Sequence, residues 1–314
     1  MMISSHGCLR RVREWFRKSR PERDAGARSE TKGHDGPSAP RYDSAMSITR
    51  STAAGIHWNE AADDANAPCV VLLHGLGGEA GFWGAEQQAL RSRFRVLAID
   101  LRGSGLTPGC VHGFSIDDLA DDVVTVLDAA DVPSAHVVGF SMGGLVAQAL
   151  AARAPERVRR LVLAATFATT PLHSRRFLAA VGAVHRQGAT TKQVFELVLP
   201  WLFSTRFLES AEAAPFLDYP DDAPESPPED WLNLLDAQLS FDGRPRLAAI
   251  RAPTLVIAGD EDRLAPPGGA EALALGIRGA VLERLPAGHL VNVECGSAFI
   301  RLLECFLQKT PIDA

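Results

Sequence analysis

The chain has 314 residues, 46% of them hydrophobic and 22% charged, the balance of an ordinary folded globular protein. A net charge of −6 leaves no basic excess for nucleic acid, and no apolar run approaches the ~20 residues that span a bilayer. The five cysteines (Cys8, Cys69, Cys110, Cys295, Cys305) lack paired metal-type spacing, which argues against zinc and for free thiols in a reducing cytoplasm.

Residues 1–45 hold ten Arg or Lys against six Asp or Glu, so the remainder carries −10. This leader is rich in Gly, Pro and Ser, has no sustained apolar periodicity and no secretory apolar core, and reads as a disordered basic tail. Within it, "LRRVREWFRKSR" (9–20) could be a short amphipathic segment, and Met46 is an alternative start.

From residue 48 strand-like and helix-like patterns alternate. A hairpin is predicted over 48–58. "CVVLLHG" (69–75) is then a short apolar run of the kind buried on both faces of a parallel sheet. A helix over 81–92 and a second such strand over 94–100 follow. "SIDDLADDVVTVLDAAD" opens with Ser115 as N-cap and Asp118 three residues on, a carboxylate version of the capping box, and spaces Ile116, Leu119, Val123, Val126 and Leu127 helically. "AHVVGF", "VRRLVLAAT", "PTLVIAG" and "AVLERLP" supply four more strands. The alternation implies a mostly parallel α/β sheet with helices on both faces. It is interrupted over 167–250, where amphipathic stretches replace strands and the acidic, proline-rich "YPDDAPESPPED" reads as an exposed loop. The expected division is a 1–45 leader, a core of 46–166 and 251–314, and a helical cap of 167–250 inserted after the sixth strand.

The stretch "AHVVGFSMGGLVAQALAAR" places a serine between a strand and a helix. Gly139, Ser141 and Gly143 fit G-x-S-x-G, whose glycines permit a sharp turn that lifts a hydroxyl above the sheet. The helix after it is expected to bury Leu145, Val146, Ala149 and Leu150 and to end before Pro155. A serine needs a base. Of nine histidines, His289 follows a strand and precedes a helix, at the end of the sheet where open α/β folds hold their chemistry. His6 and His34 lie in the leader, His136 in a strand, and His173 and His185 in the insertion. An acid must orient the base, and Asp262 is the choice, with Asp260 second, in the loop after "PTLVIAG". The order serine, aspartate, histidine separates this arrangement from those of chymotrypsin and subtilisin. The glycine-rich bend at 74–78 and the start of the post-serine helix would offer the backbone N–H groups of Leu76 and Met142 to an oxyanion. The same bend, "GLGGEA", with Asp100 about 20 residues on, also fits a dinucleotide fingerprint, a reading that leaves the serine and histidine unexplained.

Taken together, "HGLGG", "DLRGSG", "GFSMGG", "GDEDRLAPP" and "AGHLVNVE" resemble the α/β-hydrolase superfamily over 48–307, and within it 3-oxoadipate enol-lactonases and related small esterases. The resemblance implies a cofactor-independent serine hydrolase of a carboxylic ester or lactone, with its triad under a helical cap. A small-molecule substrate is the expected partner. The chain departs from that pattern at Ser104, where those proteins carry His, in its leader, and in the acidic cap segment. Trp201, Phe203 and Phe207 are candidates to line an apolar pocket, with packing inside the cap as the alternative for each. Carbon–carbon bond hydrolysis of dienoates and thioester hydrolysis or acyl transfer use the same triad. A non-catalytic ligand-binding protein on this fold is the remote alternative.

Overall fold

The computed structural model describes residues 49–110, 112–219 and 227–308, so the expected leader and the centre of the acidic loop lie outside the described residues. Eight strands form one sheet in the order β1-β2-β4-β3-β5-β6-β7-β8. They are β1 (Thr49–Ala53), β2 (Ile56–Ala61), β3 (Cys69–Leu73), β4 (Arg95–Ile99), β5 (Ala135–Phe140), β6 (Val158–Ala164), β7 (Thr254–Gly259) and β8 (Val281–Leu285). β2 pairs antiparallel with both β1 and β4, and every other pairing is parallel.

The hairpin extends three residues beyond its predicted end. Ala54 and Gly55 both take positive φ, 50° and 84°, the combination a two-residue hairpin turn needs to match strand twist. β2 then runs on to Ala61 because its far edge pairs with β4, Trp58 opposite Ile99 and Ala61 opposite Val96. The stretch predicted as one helix at 81–92 is a 3-10 turn, Ala80–Trp83, followed by α1 (Gly84–Leu90).

Side chains of the central strands are buried on both faces, as the apolar runs require. Val71 and Leu73 of β3 join one apolar cluster, Val70 and Leu72 the other. The first face is covered by α2 (Ile116–Ala129), α3 (Met142–Arg153) and α9 (Pro267–Gly276), the second by α1 and α11 (Gly296–Leu307). The capping box forms at α2: the Asp118 N–H donates to Ser115 Oγ at 3.2 Å and the Ser115 N–H to Asp118 Oδ2 at 2.7 Å. All five apolar residues assigned to its inner face are buried. α3 is buried around almost its whole circumference, Ala147, Gln148 and Ala151 included, because it lies between the sheet, α2 and the 3-10 turn Arg244–Ala249.

Between β6 and β7 lie α4 (Leu172–Arg186), α5 (Thr191–Leu202), α6 (Thr205–Leu208), α7 (Ala214–Leu217) and α8 (Pro228–Ser240). Where this insertion leaves and rejoins the sheet domain its two ends are zipped together. Thr169 bridges Asp242, the Gly243 N–H donates to Ala168 O at 2.7 Å, and Thr170 Oγ1 donates to Gln238 O at 3.4 Å. Leu199, Phe203, Phe207 and Ala213 form an apolar cluster of the insertion itself.

Candidate active site

Ser141 stands at the junction of β5 and α3 with φ 52° and ψ −117°, a strained conformation for a residue with a side chain. Backbone bonds impose it. The Ser141 N–H donates to Ala164 O at 2.9 Å, and Ser141 O accepts from Thr166 Oγ1 at 2.7 Å and from the Gly144 N–H at 2.9 Å. The turn also demands close backbone approach. A Cβ on Gly139 would sit 2.4 Å from Gly143 O, and one on Gly143 would sit 2.3 Å from Leu73 O. The spacing of the motif is thus a packing requirement whose product is a hydroxyl turned off the strand end toward His289.

His289, on the loop between β8 and α10 (Val291–Glu294), places Nε2 2.9 Å from Ser141 Oγ and Nδ1 2.8 Å from Asp262 Oδ2. With Asp262 as a carboxylate, Nδ1 carries the proton and Nε2 presents its lone pair to the serine hydroxyl. Asp262 is fixed in turn, its Oδ1 accepting the N–H groups of Leu264 and Ala265, both at 2.8 Å. All three side chains are buried. Asp260, the second choice for the acid, instead pairs with Arg284 at 2.7 Å on the surface. The Phe140 ring lies 5.0 Å from the imidazole and walls one side of it.

The glycine-rich bend is held by His74. Its Nδ1 donates to Gly75 O at 2.8 Å and its Nε2 accepts the Leu101 N–H at 3.1 Å. Burial pushes its pKa down, which matches a neutral ring using both nitrogens structurally. A Cβ on Gly75 would lie 3.1 Å from Ser141 Cβ, so the Gly75–Leu76 backbone passes directly beside the serine. Met142 is the first residue of α3, where an N–H has no partner within its helix. Asp100, the acid of the dinucleotide fingerprint, is turned inward, accepting the Ala80 N–H at 2.6 Å and the Leu106 N–H at 3.0 Å. It is committed to loop structure.

The insertion reaches each of these loops. From α4, Ser174 Oγ donates to Leu264 O at 2.7 Å and His173 Nε2 to Arg263 O at 2.8 Å, on the aspartate loop. From α8, Asn233 Nδ2 donates to Cys110 O at 3.0 Å, and Trp231 Nε1 lies 3.3 Å from where a Cβ on Gly77 would be, over the glycine-rich bend. The end of α5 contacts the histidine loop, with the Leu290 N–H donating to Leu202 O at 2.9 Å. Of the aromatic pocket candidates, Trp201 is half-buried and stacks on Phe177 at 4.1 Å. Phe203 and Phe207 stack on each other at 4.9 Å, with Phe216 against both.

Thr166, Phe140, Trp231 and Glu294 also shape the site and were missed in the sequence. Phe140 and Thr166 had a usable signal, the first directly before the serine and the second two residues past the neighbouring strand β6. Trp231 and Glu294 had none, because their partners lie far away in the chain. Among the described residues no His, Cys, Asp and Glu cluster suited to a metal occurs, and no helix is long and apolar enough to cross a membrane.

Comparison with known proteins agrees with this architecture. The family model for the alpha/beta hydrolase fold matches residues 68–294. RutD of Variovorax paradoxus, a proposed carbamate hydrolase, is 35% identical over 255 residues, covering 78% of this chain and 93% of its own. The 3-oxoadipate enol-lactonase 2 of Acinetobacter baylyi is 30% identical over 246 residues, covering 78% and 90%. Among solved structures, a hydrolase from Pseudomonas aeruginosa superposes with a TM-score of 0.74 at 31% identity, covering 85% of this chain and 100% of that one. The enol-lactonase from Burkholderia xenovorans has a TM-score of 0.74 at 28% identity, covering 83% and 100%. A catalytic-looking serine turn on an eight-stranded sheet and a family match over most of its length lead to one conclusion: the chain belongs to the α/β-hydrolase family.

Proposed function

We propose that the protein is a serine hydrolase that cleaves a carboxylic ester or lactone through an acyl-serine intermediate. The observation that carries this reading is the continuous chain Ser141 Oγ–His289 Nε2 and His289 Nδ1–Asp262 Oδ2, at 2.9 and 2.8 Å. Ser141 Oγ attacks the carbonyl carbon while its proton passes to His289 Nε2, and Asp262 stabilises the imidazolium. The N–H groups of Leu76 and Met142 take the oxyanion, each donor worth about 3 kcal/mol in the transition state. Collapse breaks the bond to the leaving oxygen, which receives the proton from His289. Water then attacks the acyl-serine, giving its proton to His289, and the acid departs as Ser141 is reprotonated. No external electron carrier or metal enters this balance.

A second reading shares every step but the last product. The likeness to RutD favours a carbamate, whose carbonyl would form a carbamoyl-serine on the same hydroxyl. Stopped-flow mixing with p-nitrophenyl acetate and with a p-nitrophenyl carbamate tests both. The proposal expects a burst of p-nitrophenol equal to the enzyme concentration, absent in Ser141→Ala. A linear trace of equal rate in wild type and Ser141→Ala contradicts it. Steady-state comparison of enol-lactones, short esters and carbamates then separates the two readings.

A further inference from the structure

The histidine loop is held to the insertion on both sides of the imidazole. One residue after His289, the Leu290 N–H donates to Leu202 O at 2.9 Å. One residue before it, the Gly288 N–H donates to Glu294 Oε1 at 2.9 Å. The same Oε1 accepts the Ser204 N–H at 2.8 Å, and Oε2 accepts Ser204 Oγ at 2.5 Å. Ser204 is fully buried at the start of α6, where its Oγ also accepts the Phe207 N–H at 3.1 Å. The loop and the insertion touch directly here, since a Cβ on Gly288 would lie 2.4 Å from Ser204 N. Three donors from two segments thus converge on one carboxylate, a group that only accepts and has two oxygens to do it with.

We infer that Glu294 is a positioning residue for the base: it ties the backbone next to His289 to the Ser204 turn, so that His289 is aligned on Ser141 only while the insertion is seated. The inference rests on the reading of His289 as the base. Nothing in α10 itself requires an acid at its last position, and Asp262 already orients the imidazole from the other side. What Asp262 cannot do is fix the loop from which the ring projects. Glu294 does this by sharing one carboxylate between the Gly288 N–H of that loop and the Ser204 turn of the insertion, so a ligand that lifts the α5–α6 turn also loosens the base. Cap closure and activation of the serine become one event.

The test uses the full chain and a small fluorophosphonate, whose inactivation rate reports on activated Ser141 independently of substrate specificity. Glu294→Ala is expected to slow inactivation and kcat about 10²-fold, the cost of a displacement on the order of 1 Å at the reacting atoms. Glu294→Gln keeps an oxygen for the Ser204 and Gly288 N–H groups and is expected to restore the rate to within about fivefold, the value of one hydrogen bond. A merely structural role would lower the melting temperature and leave the inactivation rate and kcat alone. Wild-type inactivation rate and kcat in Glu294→Ala overturn the inference, as does Glu294→Gln no faster than Glu294→Ala. Should Glu294→Ala fail to fold, Ser204→Ala and Glu294→Gln carry the test. Each is expected to slow inactivation about fivefold, and unchanged rates in both overturn it. His289→Ala separates the two ideas. Undiminished inactivation there removes the base reading itself, whereas a dead His289→Ala beside a fully active Glu294→Ala removes only the role of Glu294.

Discussion

The serine turn and the insertion above it are built on opposite plans. Around Ser141, backbone packs on backbone with no spare volume: Gly139 and Gly143 face carbonyl oxygens, and a strained φ is held by three hydrogen bonds. The insertion instead has its own small aromatic cluster, joins the main core through Leu234, Ala237 and Phe241, and reaches each loop of the candidate site by a few separate hydrogen bonds. The first plan fixes the serine by itself, while the second leaves the histidine loop dependent on how the insertion sits. The difference teaches where to look for each property on the proposed reading: the geometry of the serine in the sheet domain, the alignment of its base at the insertion.

The sharpest way to break that division is at the core. Asp262→Asn leaves a group of the same shape whose oxygen can still accept the Leu264 and Ala265 N–H groups, yet favours the wrong imidazole tautomer, and kcat should fall about 10⁴-fold with unfolding unchanged. Urea melts beside steady-state kinetics check it, and a loss below about tenfold would place the acid elsewhere. In the insertion, Phe207→Ala removes one ring from the Phe203–Phe207–Phe216 cluster and should cost about 3 kcal/mol by urea unfolding. Its fluorophosphonate inactivation should slow as well, by less than in Glu294→Ala, because the backbone of the Ser204 turn is kept. An unchanged inactivation rate would mean that this turn does not bear on the base.

A smaller, pH-dependent effect lies beneath the histidine loop. Glu86 is buried on α1 near Asn292, and burial pushes its carboxyl up from 4.5 to about 7. A folded pKa above the unfolded one favours the folded state only while the group is protonated. The contribution is fully present below pH 4.5 and is lost as pH rises through 7. Above that the buried charge costs up to about 3 kcal/mol. Glu86→Gln should therefore match wild type at pH 4 and exceed it in stability at pH 8, measured by urea midpoint. A gain that is the same at both pH values would show that the carboxyl does not titrate in this range.

Much of this was legible in the sequence, for reasons that are local. The strands of the parallel sheet are short apolar runs because both faces are covered, and the helix at Ser115 announces itself by its cap. The serine turn is legible because its glycines serve contacts within a few residues. His289 and Asp262 could be picked by their place after strands, though Asp260 and Asp262 differ only in which way the loop turns, a choice made by the Leu264 and Ala265 N–H groups. Contacts of long separation were not legible. Ser204 and Glu294 lie 90 residues apart, and nothing in either segment names the other. The hairpin's true end was likewise set by β4, not by its own residues.

The most direct test of the central claim is the intact mass of the protein after exposure to a small fluorophosphonate, with Ser141→Ala and His289→Ala alongside. The account expects one phosphonyl adduct on wild type, mapped by peptide mass to Ser141, none on Ser141→Ala and a strongly slowed one on His289→Ala. An adduct that persists unchanged in Ser141→Ala, or well-folded wild type that never reacts, would contradict an activated serine at this site.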